Sequence, residues 1–257
     1  MPERVSDSRQ VCASTEATPQ RRVTSFVHQR NRLTEGQAHA WDRLWPTYGL
    51  DVADVVSGVV PYDPPAWFGR RAPLVVEIGS GTGESTAAQA AAVPEADHLA
   101  VEVFEPGLAQ LLMRIEEAGL ANLRLLRGDA VDLLRERVPR DSLAEVRIFF
   151  PDPWPKRRHH KRRLVQPDFV ALAASRLAPG GVLHLATDWA HYATQMRAVC
   201  SGEPLLENTS TDVDGWLPRP DGRPETKFER RALAEGRDVR DLVFRRITDA
   251  RGADHST

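Results

Sequence analysis

The sequence predicts an α/β fold with a doubly wound, mostly parallel sheet of about seven strands and helices on both faces. Short apolar runs alternate with helix-like segments from Leu74 onward, glycines follow the first run directly, and acidic residues follow the later runs. Such alternation is typical of βαβ units that build a parallel sheet. Because ligands of these sheets bind at the carboxyl ends of the strands, residues at those ends are the first candidates for function.

The elements can be assigned in order along the chain. Apolar runs predict strands over 74–78, 98–103, 123–127, 146–150 and 182–187. Intervening stretches with helical spacing predict helices over 83–92, 107–118, 130–137 and 167–177. The late segment 239–246 predicts a closing strand of the antiparallel kind that often lies at an edge.

Length and composition predict one α/β domain with extensions, because 257 residues with 41% hydrophobic content can bury a sizeable core. The polar N-terminal stretch has no periodicity and predicts a flexible tail. The predicted organisation is a domain over 23–250 between tails over 1–22 and 251–257, with an N-terminal helical segment over 23–73 and a core over 74–250. In the N-terminal segment, Thr34 and Gln37 form a capping-box pair at a helix start.

Charge and cysteine content narrow the classes of function. The formal net charge is −2, so any contact with nucleic acid must come from a local cluster of cations. The two cysteines, Cys12 and Cys200, do not suggest a structural disulfide, which fits a reducing compartment. No apolar run approaches the roughly 18 residues of a membrane span, and the first twenty residues lack a signal-peptide core. We therefore expect a cytoplasmic protein without a membrane segment.

A glycine-rich turn follows the first predicted strand. Glu77 near the end of that strand is followed by Gly79, Gly81 and Gly83, which allow the backbone to approach a ligand closely. A dinucleotide fingerprint would need a further glycine at the position of Glu84. Two carboxylates there would repel a pyrophosphate and would attract the positive charges of S-adenosylmethionine.

The next two predicted strands also end in acids. Glu102 could accept both ribose hydroxyls, a role found in NAD and S-adenosylmethionine sites alike. Asp129 could meet the exocyclic amine of adenine, although its place before a helix-like stretch also fits an N-cap. Acids at successive strand ends beside a glycine turn predict a nucleoside cofactor, and the missing fingerprint favours S-adenosylmethionine over NAD.

The fourth predicted strand leads into the stretch "IFFPDPWPKRRHHKRR". Its strand brings Asp152 to the mouth of the predicted pocket, and three prolines restrict the backbone there. We expect Trp154 to be partly exposed. The run from Lys156 to Arg163 contains six cations and two histidines. A solvated charged surface is one interpretation of this run; its place beside the pocket favours a phosphate backbone as partner.

The chain strongly resembles the bacterial tRNA (guanine-N7-)-methyltransferases over about residues 24 to 247. The matching stretches are "SFVHQRNRLTEGQ", "VVEIGSGTGE", "LAVEVFEPGLAQLL", "FFPDPWPKRRHHKRRL", "LHLATDWAHYATQM" and "RPETKFERRALAEG". The resemblance implies a Rossmann-like class I methyltransferase fold. It further implies methyl transfer from S-adenosylmethionine to N7 of the variable-loop guanosine of tRNA.

The resemblance also implies roles for individual residues. Asp152 would be the catalytic acid and a member of the cofactor site, which otherwise consists of Glu77, Gly79, Gly81, Gly83, Glu102 and Asp129. The predicted substrate contacts are Lys156, Asp188, Thr226, Lys227, Phe228 and Glu229. The predicted RNA contacts are Arg158, His159, His160, Lys161, Arg162 and Arg163.

Structural interpretations of several of these residues stay open. Asp188 precedes a helix-like stretch and could be its N-cap, and Thr226 with Glu229 has the spacing of a capping box. Asp188 or Glu229 could instead accept hydrogen bonds from guanine N1–H and N2–H₂. His159 and His160 lack a third ligand at metal spacing, so we expect no metal site.

Two other functions are compatible with parts of the pattern. One is an NAD-dependent oxidoreductase on a similar sheet, which Glu84 disfavours. The other is a non-catalytic RNA-binding protein that has kept the fold, because a fold alone does not establish an activity. With tRNA as the expected partner, the chain could act as a monomer or as a homodimer.

Overall fold

The computed structural model describes residues 32–248, so the predicted tails and the segment 23–31 lie outside the described residues. The strands are β1 (Gly49–Asp51), β2 (Leu74–Ile78), β3 (Asp97–Glu102), β4 (Leu123–Arg127), β5 (Leu143–Phe149), β6 (Leu177–Thr187), β7 (Leu206–Asn208) and β8 (Arg240–Arg246). The helices are α1 (Glu35–Tyr48), α2 (Val52–Ser57), α3 (Pro64–Phe68), α4 (Glu84–Ala92), α5 (Glu105–Ala118), α6 (Ala130–Glu136), α7 (Pro167–Arg176), α8 (Ala190–Ser201) and α9 (Lys227–Ala234).

Within residues 32–248 the strands form one eight-stranded sheet in the order β1-β4-β3-β2-β5-β6-β8-β7. Strands β1 to β6 are parallel, whereas β8 runs antiparallel to β6 and β7. The predicted α/β class, the parallel order and the antiparallel late strand are therefore confirmed. The sheet has eight strands where about seven were expected. The two strands without a predicted counterpart are β1 and β7, which lie at the edges of the sheet. Each has three residues and is too short to show a periodicity.

Helices cover both faces of the sheet. In β3, Leu99 and Val101 join one apolar core with helices α2, α6, α7 and α8, while Ala100 joins the other core with α4 and α5. This division follows from the alternation of side chains along a strand. Helix α1 packs on the second core, and Thr34 and Gln37 form its predicted capping box.

The order of the strands creates a crevice at the end of β2. Strands β3 and β4 lie on one side of β2, and β5 and β6 lie on the other. The chain therefore reverses its direction of travel across the sheet between β4 and β5. Such a switch point leaves a crevice beyond the carboxyl ends of the two central strands, here β2 and β5.

Candidate active site

A cleft lies at the carboxyl ends of β2 and β5. Its lining residues come from the glycine turn, the start of α4, the end of β5 and the start of α9: Glu77, Gly79, Ser80, Thr82, Glu84, Ser85, Phe149, Phe150, Thr226, Lys227 and Phe228. The fold thus brings the predicted cofactor residues of the glycine turn next to predicted substrate residues of α9. These two groups are far apart in the sequence.

The glycine turn has the backbone conformation that its sequence predicts. Gly79, Gly81 and Gly83 all have positive φ, at 80°, 56° and 70°, which side chains disfavour. Gly83 is the N-cap of α4. Glu102 fixes the turn from the neighbouring strand, because its carboxylate accepts a hydrogen bond from the Gly81 amide at 2.8 Å. The turn is held open towards the cleft without bulky side chains.

Glu102 has a structural role in addition to its predicted one. Besides the Gly81 amide, its carboxylate accepts hydrogen bonds from the amides of Val103 at 2.7 Å and Phe104 at 2.9 Å. Each carboxylate oxygen has two lone pairs, so these bonds leave acceptor capacity for a ribose. The ribose contact stays a prediction.

Glu77 is the most strongly buried acid of the cleft. Its side chain is 5% exposed, and its Oε2 has no hydrogen-bond partner among the described residues. Burial raises the pKa of Glu77 to about 7, although the nearby Arg147 opposes this shift. The buried hydroxyl of Ser80 likewise lacks a partner in this part of the chain. Unpaired buried acceptors in a cleft fit a ligand that donates hydrogen bonds, such as the ammonium of S-adenosylmethionine.

The negative charge of Glu84 is partly neutralised by a neighbouring arginine. It lines the cleft, but its carboxylate forms an ion pair with Arg230 of α9 at 3.2 Å. The repulsion of a pyrophosphate by Glu84 is therefore partly compensated. The preference for a cationic ligand rests mainly on Glu77.

Asp129 has the structural role that its position suggested. It is the N-cap of α6, and its Oδ1 accepts a hydrogen bond from the Val131 amide at 2.8 Å. The N-cap interpretation is confirmed. The predicted contact with adenine remains compatible with it, because an N-cap uses only part of the acceptor capacity of a carboxylate.

The loop after β5 begins with unusual backbone conformations. Phe150 and Trp154 have φ of 51° and 43°, a region that bulky residues rarely adopt. Asp152 between them is exposed and lies outside the residues that line the cleft. The loop thus presents Asp152 at the surface near the cleft, and Trp154 is partly exposed as expected.

Arg163 requires a correction, because the structure places it inside the protein and not on the RNA-facing surface. It is 2% exposed, and its Nε donates to the carbonyl oxygen of Pro153 at 2.8 Å. Its Nη1 donates to Gln195 at 2.6 Å, and its guanidinium lies over the Tyr192 ring. Arg163 anchors the loop to α8, so its charge is unavailable to a phosphate.

The remaining cations of this loop form a surface that we call the cationic surface, comprising Lys156, Arg157, Arg158, Lys161 and Arg162. Residues Arg157–Arg162 form a 3₁₀ helix, in which residues three apart, such as Arg158 and Lys161, lie on the same face. Lys156, Arg158 and Lys161 are exposed. Arg162 lies over the Trp154 ring at 5.0 Å, a contact that fixes its guanidinium.

Desolvation and the neighbouring cations disfavour protonation of the two histidines of the loop. Desolvation and then the charge of Arg162 lower the pKa of His159. Desolvation and then Arg163 lower the pKa of His160, which packs against His191. Across residues 32–248, no group of three or more His, Cys, Asp or Glu side chains could hold a metal ion.

The structure shows which residues cap helices α8 and α9, the capping roles that the sequence left open for Asp188 and for Thr226 with Glu229. Trp189, not Asp188, is the N-cap of α8, so the N-cap interpretation of Asp188 is wrong. Asp188 instead accepts a hydrogen bond from Arg237 at 2.8 Å. Thr226 caps α9 by accepting from the Glu229 amide at 3.2 Å.

Only half of the capping box exists, because the Glu229 carboxylate points to a different partner. Glu229 is 4% exposed, and both its oxygens bind the guanidinium of Arg223, at 2.6 and 3.2 Å. A carboxylate paired in this way is a poor candidate for the edge of guanine. Lys227 and Phe228, by contrast, are exposed at the cleft.

Sequence reasoning missed Arg223 and the buried ionisable residues on the sheet. Glu145 and Arg147 lie two residues apart in β5, and both face the side opposite Val146 and Ile148. Charged residues at alternate positions of an otherwise apolar strand were the available signal. That alternation indicates a polar face on a strand that otherwise looks fully buried.

Comparisons with known proteins show the family of the chain. A family model described as "Putative methyltransferase" matches residues 71–242. A tRNA (guanine-N(7)-)-methyltransferase of Nocardia farcinica is 54% identical over 233 residues, covering 88% of this chain and 85% of that protein. The chain belongs to the tRNA (guanine-N7-)-methyltransferases. The enzyme of the same name from Halorhodospira halophila shares 50% identity with this methyltransferase over 232 residues, covering 90% and 98% of the two chains.

A solved structure supports the fold of this methyltransferase. The 16S rRNA methyltransferase KamB superimposes with a TM-score of 0.52 and 15% identity, covering 68% of this chain and 88% of that one. At this identity the likeness concerns the fold alone. No helix within the described residues is both long and apolar enough to cross a membrane.

Proposed function

We propose that this methyltransferase transfers the methyl group of S-adenosylmethionine to N7 of the variable-loop guanosine of tRNA. The observation that carries the proposal is that one loop joins the two necessary surfaces. The loop after β5 starts at Phe150 in the wall of the cleft and continues into the cationic surface. A bound polyanion would therefore lie directly beside the cofactor cleft. The names of the relatives support the same reaction.

Glu77, which lines the cleft, would share the binding of the cofactor with Glu102 and Asp129, which lie at the ends of the neighbouring strands and do not line the cleft. S-adenosylmethionine supplies the methyl group. Glu77 would pair with its ammonium, and Glu102 would accept from its ribose while it holds the glycine turn in place. Asp129 would receive the exocyclic amine of the adenine. These contacts bind and orient the donor, which can account for much of the rate enhancement in a direct transfer.

Methylation of guanine N7 requires few catalytic groups. N7 carries an in-plane lone pair and no proton, so no general base is needed before the attack. Positive charge develops on the purine as the N7–C bond forms, and a carboxylate such as Asp152 would stabilise that charge. An exposed loop position suits this role, because Asp152 would reach the base only after the tRNA covers the loop.

The start of α9 would place the base. Phe228 is 51% exposed and lies nearly parallel to Phe150, with ring centroids 6.2 Å apart and an interplanar angle of 23°. An exposed aromatic face is a stacking platform for a base. Lys156, Thr226 and Lys227 would contact the substrate around it. Of the two acids considered for the guanine edge, Asp188 is the better candidate, because Arg237 contacts only its Oδ2, whereas Arg223 binds both oxygens of the buried Glu229.

The cationic surface would bind the tRNA backbone. Phosphate contacts by Lys and Arg position a nucleic acid without reading its sequence. His159 and His160 would contribute hydrogen bonds from their ring nitrogens. Selection of one guanosine would then depend on the shape of tRNA and on the fit of the base in the cleft.

The test is to incubate the protein with unmodified tRNA and methyl-labelled cofactor and to map the label. We expect 7-methylguanosine in the variable loop. A matched tRNA with adenosine at that position should remain unlabelled. Label at another atom or in another loop would contradict the proposal.

The labelling experiment and a fluorescence titration separate the two other functions considered. A non-catalytic RNA-binding protein would bind the tRNA without labelling it. In a fluorescence titration, an NAD-dependent oxidoreductase would bind NADH, whereas we expect binding of S-adenosylhomocysteine only. We further propose that the enzyme acts in the cytoplasm on tRNA, as a monomer or a homodimer; light scattering of the purified chain distinguishes the two states.

A further inference from the structure

One face of the sheet carries a row of buried ionisable side chains. Glu77 of β2 lies opposite Arg147 of β5, and Arg147 lies opposite His184 of β6. These side chains are 5%, 9% and 7% exposed. Since burying charge is costly unless it is paired, such a row requires partners on the same face.

The row continues from His184 into an ion-pair network. His184 Nε2 lies 2.8 Å from Asp241 Oδ1 in β8. Asp241 binds Arg223 in a bidentate manner, with Nε–Oδ1 at 2.7 Å and Nη2–Oδ2 at 2.8 Å. Arg223 also binds both oxygens of Glu229 in α9. One guanidinium, 2% exposed, thus joins the sheet to α9.

Arg223 contacts both walls of the cleft through this network. On one side its partner Glu229 is two residues from Lys227 at the cleft-lining start of α9. On the other side its guanidinium lies 5.8 Å from the ring centroids of Phe149 and Phe150 at the end of β5.

We propose that Arg223 is a positioning residue of the methyl transfer: it sets the start of α9 against the end of β5 and so fixes where the base is held. This inference rests on the proposed function. An arginine is required because its planar fork donates to two carboxylates at once, whereas an ammonium is a point charge that cannot hold both in bidentate geometry. The role is indirect, since Arg223 is buried and acts through Glu229 and Phe150.

The test is Arg223→Lys, which keeps the charge and removes the fork. We expect kcat at saturating tRNA and cofactor to fall by about 10²-fold, the order of loss that a misplaced reacting group causes. The Kd for S-adenosylhomocysteine and for tRNA should each change by less than about threefold, because neither Glu102 nor the cationic surface contacts Arg223. A folded Arg223→Lys variant with the parental kcat would overturn the proposal.

The matched control is Arg219→Lys. Arg219 approaches the same Glu229, but at 3.5 Å and with a side chain that is 42% exposed. Water and lysine can both replace such a contact, so kcat should stay within about twofold of the parent. An equal loss in both variants would show that any cation near Glu229 matters and would overturn the specific role of Arg223.

Glu229→Gln alone covers the case in which Arg223→Lys is too unstable to assay, and where both single variants fold, a double-mutant cycle tests their contact directly. Glu229→Gln keeps the shape of the side chain and removes its charge. If the two residues act through one contact, the double variant should lose no more kcat than the worse single variant. If the fold-losses of kcat in the two single variants multiply in the double variant, the two residues act independently and the proposal is overturned. The parental kcat in Glu229→Gln alone would also overturn it.

Hydrogen exchange gives a readout that does not depend on the reaction. Amides of α9 should exchange faster in Arg223→Lys and in Glu229→Gln, while amides of α4 and α5 keep the parental protection. Unchanged protection of α9 would overturn the positioning role. If the parent protein methylated no tRNA, the proposed function would fail, and this measurement would still decide whether Arg223 holds α9.

Discussion

Gly107 lies so close to Gly81 that a β-carbon added at Gly107 would be 2.2 Å from the Gly81 carbonyl oxygen. Gly107 belongs to α5, and Gly81 is the middle glycine of the turn that lines the cofactor cleft. The obstacle is backbone and not the end of a flexible side chain. The missing side chain at Gly107 therefore lets α5 support the turn from behind.

Gly107→Ala should displace the glycine turn. We expect the affinity for S-adenosylhomocysteine to fall by about tenfold or more and the stability to fall by about 1–3 kcal/mol, as overpacking typically costs. Calorimetric titration and a denaturant midpoint measure the two effects. The control is Gly36→Ala in α1, where nothing lies within 4 Å of the added carbon; it should be neutral or stabilising. Parental affinity in Gly107→Ala would contradict this account.

Glu77 should make cofactor binding depend on pH. Its pKa of about 7 means that the folded chain without cofactor holds a proton there below that pH. A cationic ammonium favours the carboxylate, so affinity should fall as pH decreases from 7.5 to 6, by at most about tenfold per unit for one proton. Glu77→Gln should weaken binding at pH 7.5 and flatten this dependence. Equal slopes in both proteins would contradict the assignment.

In the absence of ligand, the Glu77 carboxyl should make the folded protein less stable as pH rises, whereas cofactor affinity rises with pH. Its folded pKa lies above the ordinary value of 4.5, so the folded state binds more protons between pH 4.5 and about 7. This contribution to stability is therefore present in full below about pH 4.5 and is lost as pH rises through 7. Relative to the parent, Glu77→Gln should show a smaller decrease in Tm over that interval. A parallel Tm profile would exclude Glu77 as the source.

The cationic surface should control the salt dependence of tRNA binding. Replacing Arg158, Lys161 and Arg162 with Ala should raise the KM for tRNA and reduce the log–log salt slope by about 0.7–0.9 per lost phosphate contact. Arg163→Gln is the matched comparison, because it removes a buried cation of the same loop. It should lower stability and leave the salt slope unchanged. A parental slope in the triple variant would contradict phosphate binding.

Asp152→Asn tests stabilisation by charge. The amide keeps the shape of the side chain and removes its charge, so we expect the single-turnover rate to fall by about 10²-fold. The loss should persist at saturating tRNA and saturating cofactor, because the missing interaction belongs to the transition state. Full recovery at saturating cofactor would show that Asp152 only binds the methyl donor.

Glu102→Ala tests the predicted ribose contact against the structural role. We expect cofactor affinity to fall by about 1.5–3 kcal/mol, as for charge-assisted hydrogen bonds, with tRNA binding unchanged in the absence of cofactor. Glu102→Gln retains one oxygen that can accept from the Gly81 amide and should lose less. Unaltered cofactor affinity in a folded Glu102→Ala protein would contradict the assignment.

The sequence by itself determined the fold class, the elements from β2 to β6, the antiparallel β8 and the glycine turn. These features depend on local chemistry: the alternation of apolar and helical segments, and the positive φ that only glycine adopts easily. The N-cap role of Asp129 and the capping box of α1 were readable for the same reason. The motif at Asp152 and the cations after it were distinctive enough to indicate the family.

Only the tertiary structure decided which charged residues face the solvent. Arg163 and Arg162 are neighbours in one basic run, yet Arg163 is buried against Tyr192 while Arg162 lies over Trp154. Glu229 has capping-box spacing, but a guanidinium six residues earlier in the chain, itself fixed by Asp241 of β8, takes its carboxylate. Charges pair with whatever the fold brings within reach, and such distances between segments are not encoded in local spacing.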